Sequence, residues 1–399
     1  MPHMTYFDNA ATTFPKPEEV YCFMDAFCRE CGVNVGRGQY KLASQAAALV
    51  TETRNLLLDL NHCPNKCVVF TPSATEALNV ILRGIGVGND WNVYVSPFEH
   101  NAVMRVLHHI GKSIRINIRT LAFDKATFAY DVNGMREQFA EHKPHLVVIS
   151  HASNVCGLVA PIQEIFKMSK KYGAINVVDM AQTMGLIDTD LSGEVTDYAV
   201  FAGHKTLYGP LGVGGFICTA DAKPEPLLYG GTGTGSASLD LPETLPERYE
   251  VGSPNIVAIA GLNAALKWIK KTGISNIRNQ EKNNRKRLLE MLGQFDNVHL
   301  LSTNSHALTQ NEDAWVGIVS CVFDGYSAED IGRILNERDI AVRTGLHCAP
   351  DAHRFLGTFP AGTVRFSFSF FTTNNDFSTL IEVLDFITNP VRRQSHGNH

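Results

Sequence analysis

Two charged residues stand where hydrophobic, strand-like runs end. Ile175-Asn-Val-Val-Asp179 closes on a carboxylate with Gln182 just beyond it, and Tyr198-Ala-Val-Phe-Ala-Gly-His204-Lys205 closes on a lysine. Ligands of open α/β sheets bind at the carboxyl ends of strands, so both groups are placed for chemistry. A lysine at a buried sheet edge is rare unless it is paired or covalently engaged. A third segment, Thr71-Pro-Ser-Ala-Thr-Glu76, follows a strand and opens an apolar helix, with Ser73 and Glu76 spaced as a capping box. Such a helix start offers free N–H groups and a positive dipole end to an anion. Taken singly, these features read as two helix caps and a solvated loop lysine. Taken together they fit pyridoxal phosphate: the lysine forms a Schiff base, the aspartate keeps the pyridinium nitrogen protonated and the helix start takes the phosphate.

Other residues fall around this constellation. His100 follows a strand and is placed to stack on a cofactor face, or simply to cap a helix. Asn154 follows another strand, where its amide can bond a ring substituent or make a turn. In Arg343-Thr-Gly-Leu-His-Cys348 a cysteine stands beside a histidine and near an arginine, surroundings that favour thiolate; a buried structural cysteine is the plainer alternative. Arg365 interrupts an apolar strand, which suggests either bidentate binding of a carboxylate or an internal ion pair. Cys28-x-x-Cys31 and Cys63-x-x-x-Cys67 lack the rest of a zinc pattern, so no metal is expected. There is no Walker A pair, no G-x-G-x-x-G fingerprint and no H-E-x-x-H, which removes the nucleotide and zinc-protease readings.

The elements that must position these groups alternate between Lys66 and Thr219, as βαβ units and a mainly parallel sheet require. Strands are predicted at Cys67-Phe70, Val93-Ser96, Ile114-Arg119, His145-Ser150, Ile175-Asp179, Tyr198-Ala202 and Gly212-Cys218. Helices are predicted near Glu76-Arg83, Ala102-Ile110, Met135-Glu141 and Ile162-Tyr172. From Pro224 to Asn255 the texture turns to Gly, Thr, Ser and Pro, including the run Gly230 to Gly235, and reads as a long functional loop. Two helical patterns follow, Ile256-Lys271 and Ile277-Gly293. After them come strands near Val298-Leu301, Trp315-Phe323, Ile340-Arg343 and Thr363-Phe370, and a helix at Ala328-Arg338. The pattern is α/β, with a large domain over 16–252 and a smaller α+β domain built from 1–15 and 253–399. The tail from Asn389 to His399 is polar and reads as disordered.

Composition narrows the partners. The 399 residues are 44% hydrophobic and 19% charged, enough for a large core over two domains. A net charge of −5 gives no electrostatic case for nucleic acid or an anionic membrane. No apolar stretch approaches a membrane span, no signal peptide pattern opens the chain, and nine scattered cysteines argue for reduced thiols, so a cytoplasmic location is expected.

The quoted motifs, joined by Tyr6-Phe-Asp-Asn9-Ala-Ala11-Thr-Thr13, Ala74-Thr-Glu-Ala-Leu-Asn79, Gly203-His-Lys205-x-Leu-Tyr-Gly-Pro210 and Arg248-Tyr-Glu250-x-Gly-Ser-Pro-Asn255, resemble the class V aminotransferase-like pyridoxal phosphate enzymes. Within that family the chain is similar to the cysteine desulfurases with a short catalytic loop, a subgroup like the selenocysteine lyases. The resemblance implies a fold-type I transferase: a large domain with a mainly parallel seven-stranded sheet, a smaller α+β C-terminal domain, and a homodimer. It implies that Lys205 carries the cofactor, Asp179 bonds the ring nitrogen, Gln182 the phenolic oxygen, His100 stacks on the ring and Asn154 lies near it. Ala74, Thr75 and His204 would take the phosphate, joined by Ser253 of the partner subunit. Arg365 would clamp the substrate carboxylate, with Asn9, Ala11 and Arg343 beside the substrate. Cys348 would take sulfur from L-cysteine as a persulfide, release alanine, and pass the sulfur to an acceptor protein or small thiol, with iron-sulfur cluster assembly one destination. Selenocysteine lyase and cysteine sulfinate desulfinase would use the same pocket, and an aminotransferase or epimerase would not need Cys348. Three positions depart from the pattern: Ala202 stands where Ser or Thr is common, Ser253 where Thr is, and Leu346 where His is.

Overall fold

The segments that alternate between Lys66 and Thr219 close into a seven-stranded sheet in the computed structural model, which describes residues 4–35, 38, 40–222, 224–233, 237–301 and 311–388. The strand order is Cys67–Thr71, Gly214–Cys218, Tyr198–Ala202, Ile175–Asp179, Leu146–Ser150, Trp91–Val95 and Ile116–Thr120. Gly214–Cys218 runs antiparallel to both neighbours, and the other pairings are parallel.

Successive strand residues point to opposite faces, and both faces are covered, which is why these strands read as continuous apolar runs. Val69, Val93, Val148, Val177, Val200 and Phe216 pack with the helices Ala74–Gly84 and Asn101–Ile110. Val68, Tyr94, Val147, Val178, Phe201 and Ile217 face the other layer, with Lys41–Leu60, Ile162–Lys170 and Ile256–Thr272. The crossovers bring the carboxyl ends of the parallel strands to one edge.

The smaller domain has four antiparallel strands in the order Val298–Leu300, Ile318–Phe323, Thr363–Ser367 and Arg343–Gly345, packed with Ala328–Asn336 and Asn374–Thr388 around Phe323, Leu335, Phe366 and Leu384. Thr5–Tyr6 pairs with Ile340–Ala341, and Phe7 enters this core, so the N-terminal segment is tied to the smaller domain. The helix Ile256–Thr272 places its apolar side chains in the large core, and beyond it the chain next enters the smaller domain's core at Leu288. Of the two N-terminal helices, Glu18–Cys31 contains Cys28, which the sequence places in a helical stretch, whereas Lys41–Leu60 was not anticipated; neither has a side-chain cap. The Asn389–His399 tail and Thr234–Gly235 of the glycine run lie outside the described residues. Among the described residues no helix is long and apolar enough to cross a membrane.

Candidate active site

At that sheet edge a cavity of about 100 Å³ is lined by Ala74, Thr75, His100, Asn154, Asp179, Gln182, Ala202, His204 and Lys205. They come from the ends of five strands or the segments after them, so the sequence-predicted cofactor residues converge, Ser253 excepted. The helix start is held by Ser73, whose side chain accepts from Glu76 N at 3.2 Å. Gly214 on the antiparallel strand lets that start approach: a Cβ there would lie 2.8 Å from Ala74 N and 2.9 Å from the Ser73 carbonyl carbon.

Burial sets the electrostatics. It raises the Asp179 carboxyl above its usual range, opposed by the hydrogen bond from Ala181 N to Oδ1 at 2.9 Å and by Lys205. It lowers the Lys205 ammonium, with Asp179 pulling the other way. His100 is pushed down to about 4 by burial and then by the nearby cations, and its Nδ1 accepts from Ala102 N at 3.0 Å. Its ring is therefore neutral at pH 7 with the proton on Nε2. Burial also brings His204 to about 4, and its Nδ1 is buried without a partner. Gln182 donates to Ala10 O at 2.9 Å.

The smaller domain supplies the second half. Cys348 is exposed, with Arg343 Nη2 at 3.7 Å from its Sγ. Its carbonyl accepts from Asn101 N at 2.7 Å, and Asn154 Nδ2 donates to the His347 carbonyl at 2.7 Å, so two large-domain groups hold the turn. Cys348 lines a recess that shares Thr75, His100 and Ala102 with the lysine cavity.

Arg365 is 1% exposed, donates from Nη1 to Asn154 O at 2.9 Å and from Nη2 to Asp8 Oδ1 at 2.7 Å, and leaves Nε without a partner. The internal ion pair is thus formed, with one donor spare. Asn9 is spent on structure: Nδ2 donates to Ser367 O at 3.0 Å and Oδ1 accepts from Phe14 N at 3.2 Å. Ala11 belongs to the same turn, its N–H donating to Asp8 O at 3.1 Å. Ser253 is exposed, accepts from Asn34 Nδ2 at 3.3 Å and lines a separate cavity with Pro72 and Glu76.

Sequence reasoning missed Asp8 and Glu99. Glu99 is 1% exposed and accepts from Ser150 N at 2.7 Å, Ser150 Oγ at 2.8 Å and Ser96 Oγ at 2.5 Å, which ties the His100 turn to the strand beside Asp179. Burial raises its carboxyl to about 7. An acid inside Ser96-Pro-Phe-Glu-His100, between an apolar strand and a helix, was the available signal. Among the described residues no three His, Cys, Asp or Glu side chains cluster as metal ligands.

The arrangement can bind an anion at a helix start, hold a ring between His100 and Asp179, and present an amine and a thiol to one ligand. A probable cysteine desulfurase of Pyrococcus abyssi is 31% identical over 398 residues, covering 97% of this chain and 95% of that protein. A cysteine desulfurase of Haloferax volcanii is 27% identical, covering 96% and 89%. The solved apo structure of a cysteine desulfurase from Thermococcus onnurineus NA1 matches with a TM-score of 0.87 at 28% identity over 96% of this chain and 94% of that one. The family described as Aminotransferase class-V matches residues 5–380, a span that includes both the lysine cavity and the Cys348 turn, and the chain belongs to that family.

Proposed function

We propose that this chain is a pyridoxal phosphate-dependent cysteine desulfurase, converting L-cysteine to L-alanine and carrying the sulfur as a persulfide on Cys348. The observation that carries the proposal is the shared wall: Thr75 and His100 border both the lysine cavity and the recess that ends on Cys348, so one bound amino acid can meet both groups.

The residues present fit the cofactor. His204 Nδ1 is buried without a partner in the cavity that the helix start at Ala74 and Thr75 also lines, which leaves an open group for a phosphate. Asp179 would hold the ring nitrogen, Lys205 the aldehyde carbon, and Gln182 and Asn154 ring substituents, with His100 against the ring. Ala202 brings no hydroxyl, so this phosphate site has one donor fewer than the family pattern. Ser253 would reach the phosphate of the partner subunit in a homodimer, a role its exposed position allows. When bound, pyridoxal phosphate supplies the electron withdrawal that acidifies the α carbon of an amino acid.

The chain's own groups do the rest. Arg365 would orient the substrate carboxylate through its free Nε, with Arg343 beside it. Burial lowers the Lys205 ammonium and so raises the share of free amine that can accept the α proton. The Cys348 thiolate, beside Arg343, attacks the substrate sulfur; the carbon–sulfur bond breaks and the β carbon takes a proton as alanine leaves. The test is alanine release from L-cysteine with a reductant present and sulfide counted in parallel. Equal amounts are expected; cofactor-loaded protein that makes no alanine overturns the proposal.

A further inference from the structure

The recess at Cys348 is open to solvent, and two packed helices form one side of it. Residues four apart share a helix face, so Thr75, Asn79 and Arg83 form one row on Ala74–Gly84. Asn101, Arg105 and His109 form a second row on Asn101–Ile110, and both rows line the recess. Eight residues of helix carry Arg83 and His109 about 12 Å beyond the helix starts, and Arg105 lies about 6 Å beyond Asn101. Cys348 sits at the start end, where its carbonyl is bonded to Asn101 N at 2.7 Å.

The recess is positive where it runs away from the thiol. At the thiol end the start of Asn101–Ile110 favours negative charge, while on the proposed function the start of Ala74–Gly84 is taken by the cofactor phosphate. Arg83 and Arg105 are exposed and form no ion pair with a carboxylate among the described residues, and no acidic side chain lines the recess. None of these cations is needed to hold the cofactor or to cleave the substrate.

We propose that this recess binds the sulfur acceptor and that the acceptor it takes is a short, peptide-sized thiol bearing carboxylates. The proposal rests on the desulfurase reading and names its acceptor class. A thiol of two or three residues spans about 7–11 Å when extended, comparable with the roughly 6–12 Å of helix that separates the two arginines from the helix starts. The acceptor thiolate attacks the outer sulfur of the Cys348 persulfide. The sulfur–sulfur bond breaks, Cys348 leaves as thiolate with the bonding pair, and the acceptor departs as R–S–SH with no net oxidation or reduction.

The test loads the holoenzyme with L-cysteine for one turnover, counts alanine, then follows loss of the persulfide with glutathione, glutathione diethyl ester or cysteamine. Each rate is normalised to the same thiol's rate with free cysteine persulfide, which cancels intrinsic reactivity. The expected result is a normalised rate for glutathione about fivefold to tenfold above the ester, as two solvated charge contacts allow. That advantage fades as salt rises and disappears in the double variant Arg83→Gln/Arg105→Gln, while the alanine burst is unchanged. Equal normalised rates for the three thiols, or an advantage that survives the double variant, overturn the proposal. The salt series on the unaltered protein decides the matter if the variant does not fold. An absent alanine burst defeats the desulfurase reading, and this proposal with it.

Discussion

Asp179 and Lys205 stand at the ends of neighbouring parallel strands, where burial moves the carboxyl up and the ammonium down. Cys348 stands in the open on a turn whose two successive residues, His347 and Cys348, have φ of 48° and 58°. Left-handed backbone at residues other than glycine costs about 1–3 kcal/mol per position and persists only where other contacts dictate it. Here they do: Asn101 N and the Asn154 amide hold the two carbonyls, and His347 Nε2 meets Thr363 Oγ1 at 2.8 Å. On the proposed function, the lysine cavity keeps one ligand in one place, which a strand-mounted site serves, and the thiol meets a substrate on one side and an acceptor on the other. Its backbone is fixed while its sulfur stays in solvent.

The most damaging way to break this comparison is to empty the cavity of its amine. Lys205→Ala is expected to lower alanine formation roughly 10²- to 10⁴-fold, the range for loss of a positioned general base, and to weaken retention of the cofactor on dialysis. Activity within tenfold of the unaltered protein removes Lys205 from the mechanism. Cys348→Ala tests the opposite limb. Persulfide and sulfide should fall to background while the cofactor stays bound, because Cys348 is the smallest of the charges that act on Lys205. Loss of the cofactor from this variant would show that the two limbs are one structural unit.

How much of this was legible follows the range of the forces. The strands Ile175–Asp179 and Tyr198–Ala202 match the sequence reading to the residue, since each apolar run ends on a residue that breaks it. The helix Lys41–Leu60 escaped because Tyr40 at its start makes no side-chain cap, its first turn holds no acidic residue and its last turn no basic one, so the local punctuation was missing. The cavity residues were legible as strand ends. The state of Cys348 was not, because its exposure depends on a left-handed turn hooked to a helix some 250 positions away in the chain. The same holds for Arg365: its partner Asp8 is 357 residues away, and no local pattern chooses between an ion pair and a substrate clamp.

Glu99 sharpens the cavity side through pH. Its carboxyl rises from 4.5 to about 7 because it is buried, so the folded chain binds this proton more tightly than the unfolded chain. Stability from this group is fully present below pH 4.5 and is lost as pH rises to about 7, where the buried carboxylate finally ionises. Glu99→Gln keeps the shape and cannot ionise. Relative to the unaltered protein it should be near neutral at pH 4.5 and more stable by about 1–3 kcal/mol at pH 8. Paired thermal melts at the two pH values measure this. A difference that does not change with pH would mean that Glu99 is ionised throughout and that its three hydrogen bonds outweigh its burial.

The smallest expected effect lies on the thiol side, where solvent blunts every charge. Arg343 is the cation that contacts Cys348, at 3.7 Å, and the sulfur it faces is exposed. An exposed ion pair contributes about 0.2–1 kcal/mol, so Arg343→Gln should slow iodoacetamide alkylation of Cys348 at pH 7 only about twofold to fivefold. High salt should narrow that gap further, since the screening length falls to about 3 Å at 1 M. A loss of a hundredfold would require a desolvated pair, and the thiol would then resemble Asp179 and Lys205 more than a group open to two partners. A modest, salt-sensitive change keeps the two limbs distinct: one tuned by exclusion of water, the other by where its backbone holds it.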